Sequence, residues 1–115
     1  MNISFEEFIS RQGIVPQKIS PYELAWKIDD TKAVLQWLSE NNKVVLGGDI
    51  LDINKEYTYD NWYYNPDDTC SSLINAKNSI EKASEYISNY IDINGSDYYV
   101  VLISKQRFKR RGRND

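Results

Sequence analysis

The residue types that could carry chemistry in this 115-residue chain are few. It contains no histidine, which removes the commonest general base and the Ser-His and Cys-His nucleophilic pairs. The ordinary mixed Cys/His zinc sites go with it. The single cysteine, Cys70, cannot form an internal disulfide, which fits a reducing compartment. At a helix start, with no histidine to activate it, Cys70 reads as a small half-buried packing residue. Leu46-Gly47-Gly48-Asp49 is the stretch closest to a site: paired glycines before an acid could bring backbone near a phosphate or present Asp49 to a metal. The lysine of a P-loop and a spaced third glycine are both missing, so a bulge or bend in a strand is the simpler account. Asp49, Asp52, Asp60, Asp67 and Asp68 could pair as carboxylates for glycosidic or metal-assisted hydrolysis. Nothing in their spacing forces them together, and calcium-loop spacing is absent. Solvated acids, or an acidic recognition surface, are the expectation. These residues point to a protein that binds and is not an enzyme, with no metal and no cofactor expected.

Charge and aromatic content sharpen that. The net charge of −3 hides an asymmetry: residues 1–104 hold 8 Lys/Arg against 16 Asp/Glu, a balance of −8. The last eleven residues hold six basic groups (Lys105, Arg107, Lys109, Arg110, Arg111, Arg113) and one acid, a balance of +5. Asp60-Asn61-Trp62-Tyr63-Tyr64-Asn65 mixes rings with short polar groups, as base-stacking surfaces do. It has no Lys or Arg, however, and an acidic body repels a polyanion. Exposed Tyr and Trp in that setting fit a protein interface better. The basic tail could touch nucleic acid or an acidic membrane surface; solvated terminal charge, or docking onto the acidic body, accounts for it equally well. A nucleic-acid-binding regulator using this tail is the alternative function.

The elements that must position these residues follow from pattern. Length and a 41% hydrophobic content allow one domain with one core, expected over residues 1–104, and a flexible basic tail over 105–115. The longest apolar runs are too short to span a bilayer, and Glu6 and Glu7 interrupt any secretory signal. Ser4 and Glu7 have capping-box spacing, which predicts a helix from Phe5 to Arg11 stopped at Gly13. Ile14 to Pro21, with two prolines, reads as an irregular connection; Tyr22, Leu24 and Trp26 fit a strand or a turn. Ala33, Val34, Trp37 and Leu38 repeat at helical spacing after an Asp29 or Asp30 cap. Strands are expected at Lys43–Leu46, broken by the glycines and resumed at Ile50–Ile53, then at Glu56–Asn65 and Tyr98–Ile103. In Glu56–Asn65, Tyr57, Tyr59, Asn61 and Tyr63 would share one face, opposite Thr58, Asp60, Trp62 and Tyr64. Leu73, Ala76, Ile80, Ala83, Ile87 and Tyr90 recur at intervals of three and four, predicting an amphipathic helix over about 69–91, its N-terminus flanked by Asp67 and Asp68. The sum is an α+β fold with a small, mostly antiparallel sheet of about three strands and helices packed on one face.

The order of these features resembles a known family. Pro21 and Trp26 precede a helix; Val45-Leu46-Gly47-Gly48-Asp49 and Asp60-Asn61-Trp62-Tyr63 follow; a long helix then carries Ala83, Tyr86, Ile87 and Tyr90. Together they look like the immunity protein 40 family of bacterial polymorphic-toxin systems, over about residues 20–104. The resemblance implies a cytoplasmic, non-catalytic protein that neutralises a cognate protein toxin, with no membrane partner and nucleic acid disfavoured. On that expectation the partner-binding residues are Asp49, Asp52, Asp60, Trp62, Tyr63, Asp67 and Asp68, with acids steering a basic partner and rings anchoring in its pockets.

Overall fold

The computed structural model describes residues 3–104. Helix α1 spans Phe5–Gln12, with Ser4 as N-cap accepting from the Glu7 amide at 3.0 Å and Gly13 closing it at φ 72°. A hairpin follows, β1 (Gln17–Ser20) and β2 (Glu23–Lys27). One 3-10 turn (Ile28–Asp30) leads into α2 (Thr31–Glu40), where the Thr31 hydroxyl donates to the Ile28 carbonyl at 2.6 Å. Strands β3 (Val45–Leu51) and β4 (Tyr57–Tyr63) form a second hairpin, α3 covers Ser72–Asn94, and β5 (Tyr99–Ser104) completes the sheet.

The α+β class with an antiparallel sheet is as expected, but the sheet has five strands, ordered β1-β2-β5-β3-β4, not about three. The two extra strands are β1 and β2. Pro16 and Pro21 border β1, and its ladder comes only from β2, which suits a proline-flanked edge strand. Such a strand has no apolar alternation of its own to announce it.

Alternate residues divide the sheet into two faces. On one, Trp26, Val45, Ile50, Trp62 and Val100 pack against Leu35 of α2 and Ala83 and Ile87 of α3, with Phe5 and Ile9 of α1 closing one end. Phe5 meets the Trp26 ring edge-on, centroids 5.6 Å apart. On the other face Ala25, Leu51 and Val101 form a smaller buried cluster with Ile19 and Tyr99 and with no helical residue.

The glycine pair does not break β3, which runs through it. Gly48 sits opposite Trp62, and a methyl group at Gly48 would lie 2.3 Å from the indole Cη2. The ring therefore lies flat on the strand where a side chain is missing, and Tyr86 of α3 stacks on it at 4.9 Å. This close approach of Trp62 is what the two glycines permit.

Helix α3 begins later than the pattern predicts. Ser71 is its N-cap, accepting from the Ile74 amide at 3.2 Å, so Asp67 and Asp68 lie ahead of it in a turn. Leu73, the first residue of the predicted stripe, is 60% exposed. Ala76 of the stripe is buried as expected, but its buried neighbours in these first turns are polar, Asn75 and Ser79. Ser79 accepts from the Val45 amide at 2.9 Å and donates to the Ala76 carbonyl, joining helix to sheet by hydrogen bonds where apolar packing was expected. Among the described residues no helix is long and apolar enough to cross a membrane. The expected tail, residues 105–115, lies outside the described residues.

Candidate functional site: the helix-free sheet face and the β4 edge

The two short motifs that carry the family resemblance are neighbours in space. Gly47, Gly48 and Asp49 pair with Tyr63, Trp62 and Asn61 respectively. Pleating then sorts them: Asp49, Asn61 and Tyr63 point to the helix-free face, while Trp62 points inward. Tyr57, opposite Leu51, joins the outward set, and its hydroxyl crosses the face to donate to Glu23 Oε1 of β2 at 2.9 Å.

This juxtaposition brings two acids, Glu23 and Asp49, close to one another. Burial, and then the negative charge of Glu23, hold the Asp49 carboxyl above the usual aspartate value. The Tyr57 phenol is raised chiefly by its hydrogen bond to Glu23 and secondarily by burial. Among the described residues the side-chain ion pairs are Arg11–Glu7 and Lys77–Glu81, so neither acid of the face is offset by one of them. Two cations share this face toward its Tyr99 end: Lys27 pairs with Tyr99, and Lys55 lies over the Tyr99 ring at 5.0 Å. Tyr63 is 68% exposed beside Asn61, and its carbonyl accepts from Lys82 of α3.

The remaining expected residues lie elsewhere. Trp62 is 4% exposed and belongs to the core, so any effect on a partner is indirect. Its indole N–H is buried with no hydrogen-bond partner in the described structure. Asp60 turns toward α3 and accepts from the Tyr90 hydroxyl at 2.8 Å. That bond and, more strongly, burial push the Tyr90 phenol up to about 12. Asp52 caps the β3–β4 turn, accepting from the amides of Asn54 and Glu56 at 2.8 and 3.0 Å. Asp67 accepts from the hydroxyl and amide of Thr69 at 2.6 and 2.9 Å, which holds its carboxyl below the usual range. Asp68 is exposed in the same turn. This turn is fastened to α3 by Asn75, whose carbonyl oxygen accepts from the Tyr64 hydroxyl at 2.7 Å and the Asp67 amide at 2.8 Å.

Of the seven, then, Asp49 and Tyr63 converge on one surface. Glu23 and Tyr57 are additional members, and Tyr59 stands exposed on the β4 edge. Glu23 had no signal in the sequence, because it meets Tyr57 only through two intervening strands. Tyr59 lies in a bulge where β4 carries extra residues between its Leu51 and Asp49 pairings. Among the described residues no three acids or cysteines come together as a metal site. Acids beside exposed rings can grip a basic protein surface.

A family model described as Immunity protein 40 matches residues 15–104, that is, the whole sheet with α2 and α3 but not α1. No match was found among curated proteins or among solved structures.

Proposed function

The chain belongs to the immunity protein 40 family, and from that premise we propose that it binds and neutralises a cognate bacterial toxin in the cytoplasm without catalysing a reaction. The contact surface in this reading is the helix-free sheet face with the β4 edge. One observation supports it above the others: Glu23, Asp49, Tyr57, Asn61 and Tyr63 share a helix-free surface on which, among the described residues, neither acid is in an ion pair, while Lys27 and Lys55 lie toward its Tyr99 end. Acids there accelerate and orient the approach of a basic toxin surface, and Tyr57 and Tyr63 supply ring area for it to pack on. Neutralisation then follows from covering the toxin's active site or another surface it needs.

Co-expression with a candidate toxin gene, sought beside this one in its genome, tests this. The Asp49→Asn, Tyr63→Ala double variant should bind the toxin at least tenfold more weakly and fail to protect growth when its expression is limiting. It should not lose stability through Asp49. A carboxyl whose folded-state pKa is raised gives stability that is present below 3.8 and lost as pH rises through the folded value. At pH 7 the neutral asparagine is therefore neutral or stabilising. Full protection by the double variant would place the contact surface elsewhere; no protection by the wild type would overturn the immunity reading.

A further inference from the structure

Tyr59 adopts a conformation that the packing of the fold does not explain. It sits at φ 72°, in the left-handed region that bulky residues enter only where their surroundings force it. Its side chain is 87% exposed and joins no core cluster, so no buried area offsets the strain. Yet the backbone around it is held firmly. The Thr58 hydroxyl donates to the Ile50 carbonyl at 2.9 Å and accepts from the Asp60 amide at 3.1 Å. The Asn61 side chain donates to the Tyr59 carbonyl at 3.3 Å. Tyr90 ties Asp60 to α3. The result is a rigid bulge on an edge strand that thrusts one aromatic ring into solvent.

A glycine or asparagine would take this backbone more readily, and a polar residue would remove an exposed ring from a sheet edge. Aromatic rings presented in advance on a rigid backbone lose little freedom on binding, which is the character of an energetic anchor. We infer that Tyr59 is the principal anchor of this chain on its toxin, seated in an apolar pocket rimmed by Lys or Arg. The basic rim follows from charge: Glu56 to Asn65 contains Glu56 and Asp60 but no basic residue, and Glu23 and Asp49 lie on the adjoining face. The inference rests on the immunity reading and specifies which residue of that surface dominates.

Its test uses full-length Tyr59→Asn and Tyr59→Phe against the purified candidate toxin domain, with thermal unfolding as a second readout. Tyr59→Asn should weaken Kd about 10- to 100-fold, while its Tm stays level or rises by up to about 4 °C. Tyr59→Phe should bind within about threefold of wild type, because the ring and not the hydroxyl is the anchor. A Kd unchanged in Tyr59→Asn would overturn the inference and leave the immunity reading standing. A fall in Tm of Tyr59→Asn would show that the ring supports the fold, and would overturn it also. If the wild-type protein did not bind the toxin, both would fall together.

Discussion

Replacing Gly48 by alanine probes the packing on which the sheet depends. The added methyl group would lie 2.3 Å from Cη2 and 2.6 Å from Cζ3 of Trp62, and 2.9 Å from the Val101 carbonyl oxygen. Ordinary contact begins near 3.4 Å, so the indole would have to withdraw by about 1 Å. It has nowhere to go, since Tyr86 stacks on its other side at 4.9 Å and Tyr90 stacks in turn on Tyr86 at 6.1 Å. Overpacking of a closed core costs about 2–3 kcal/mol, or a fall in Tm of roughly 8–15 °C for a chain of this size. Urea unfolding followed by Trp fluorescence and circular dichroism measures it. Trp62→Leu alone should cost about 2–4 kcal/mol by leaving a cavity. Combined with Gly48→Ala it should cost at least 1 kcal/mol less than the two single effects together, because the methyl group then enters that cavity. Strict additivity, or a Gly48→Ala protein as stable as wild type, would refute the picture of an indole lying on a bare strand.

Two more outcomes follow from the polar contacts of α3. Asn75→Leu should destabilise by about 2–3 kcal/mol, because it strands the Tyr64 hydroxyl and the Asp67 amide; hydrogen exchange should quicken first at residues 64–71. The Tyr90 phenol, raised to about 12 from an unfolded value near 10, favours the folded state fully below pH 10. That contribution is lost as pH rises from 10 through 12. In a spectrophotometric titration, Tyr90→Phe should remove one late-ionising phenol and flatten this high-pH loss of stability.

Much of the local structure was legible because it is encoded locally. Ser4 and Gly13 bound α1 by capping chemistry, and the alternation in β4 correctly set Tyr57, Asn61 and Tyr63 against Asp60 and Trp62. What escaped was encoded by distant partners. The β1–β2 hairpin exists because β5 offers β2 a ladder; Tyr22, Leu24 and Trp26 left β2 open between strand and turn, and β1 has no pattern to reveal it. Periodicity placed Ala76 correctly but enrolled Leu73 in the core of α3, where buried Asn75 and Ser79 instead find partners on the 64–67 loop and on β3. The proposed contact face was half visible in Asp49 and Tyr63. Glu23 joined it only once β2 was in the sheet, and Trp62 left it because the glycines opposite make room for its ring.

The last strand in the chain lies at the middle of the sheet. Strand β5 pairs Val101 with both Ala25 and Asp49, and it is the only strand that touches both hairpins in the order β1-β2-β5-β3-β4. Each hairpin can form soon after it is synthesised, but they remain two unconnected pieces until residues 99–104 arrive and close long loops against chain entropy. The proposed contact face spans both pieces, since Glu23 belongs to one and Tyr57 to the other. Ribosomes add about 5–20 residues per second, so the time for which a cell waits for this surface is set by the synthesis of residues 99–104 and their insertion as one strand. Nascent chains offer no partial version of it, and substitutions at Val100 or Val101 should act on the rate at which the surface appears as well as on its stability.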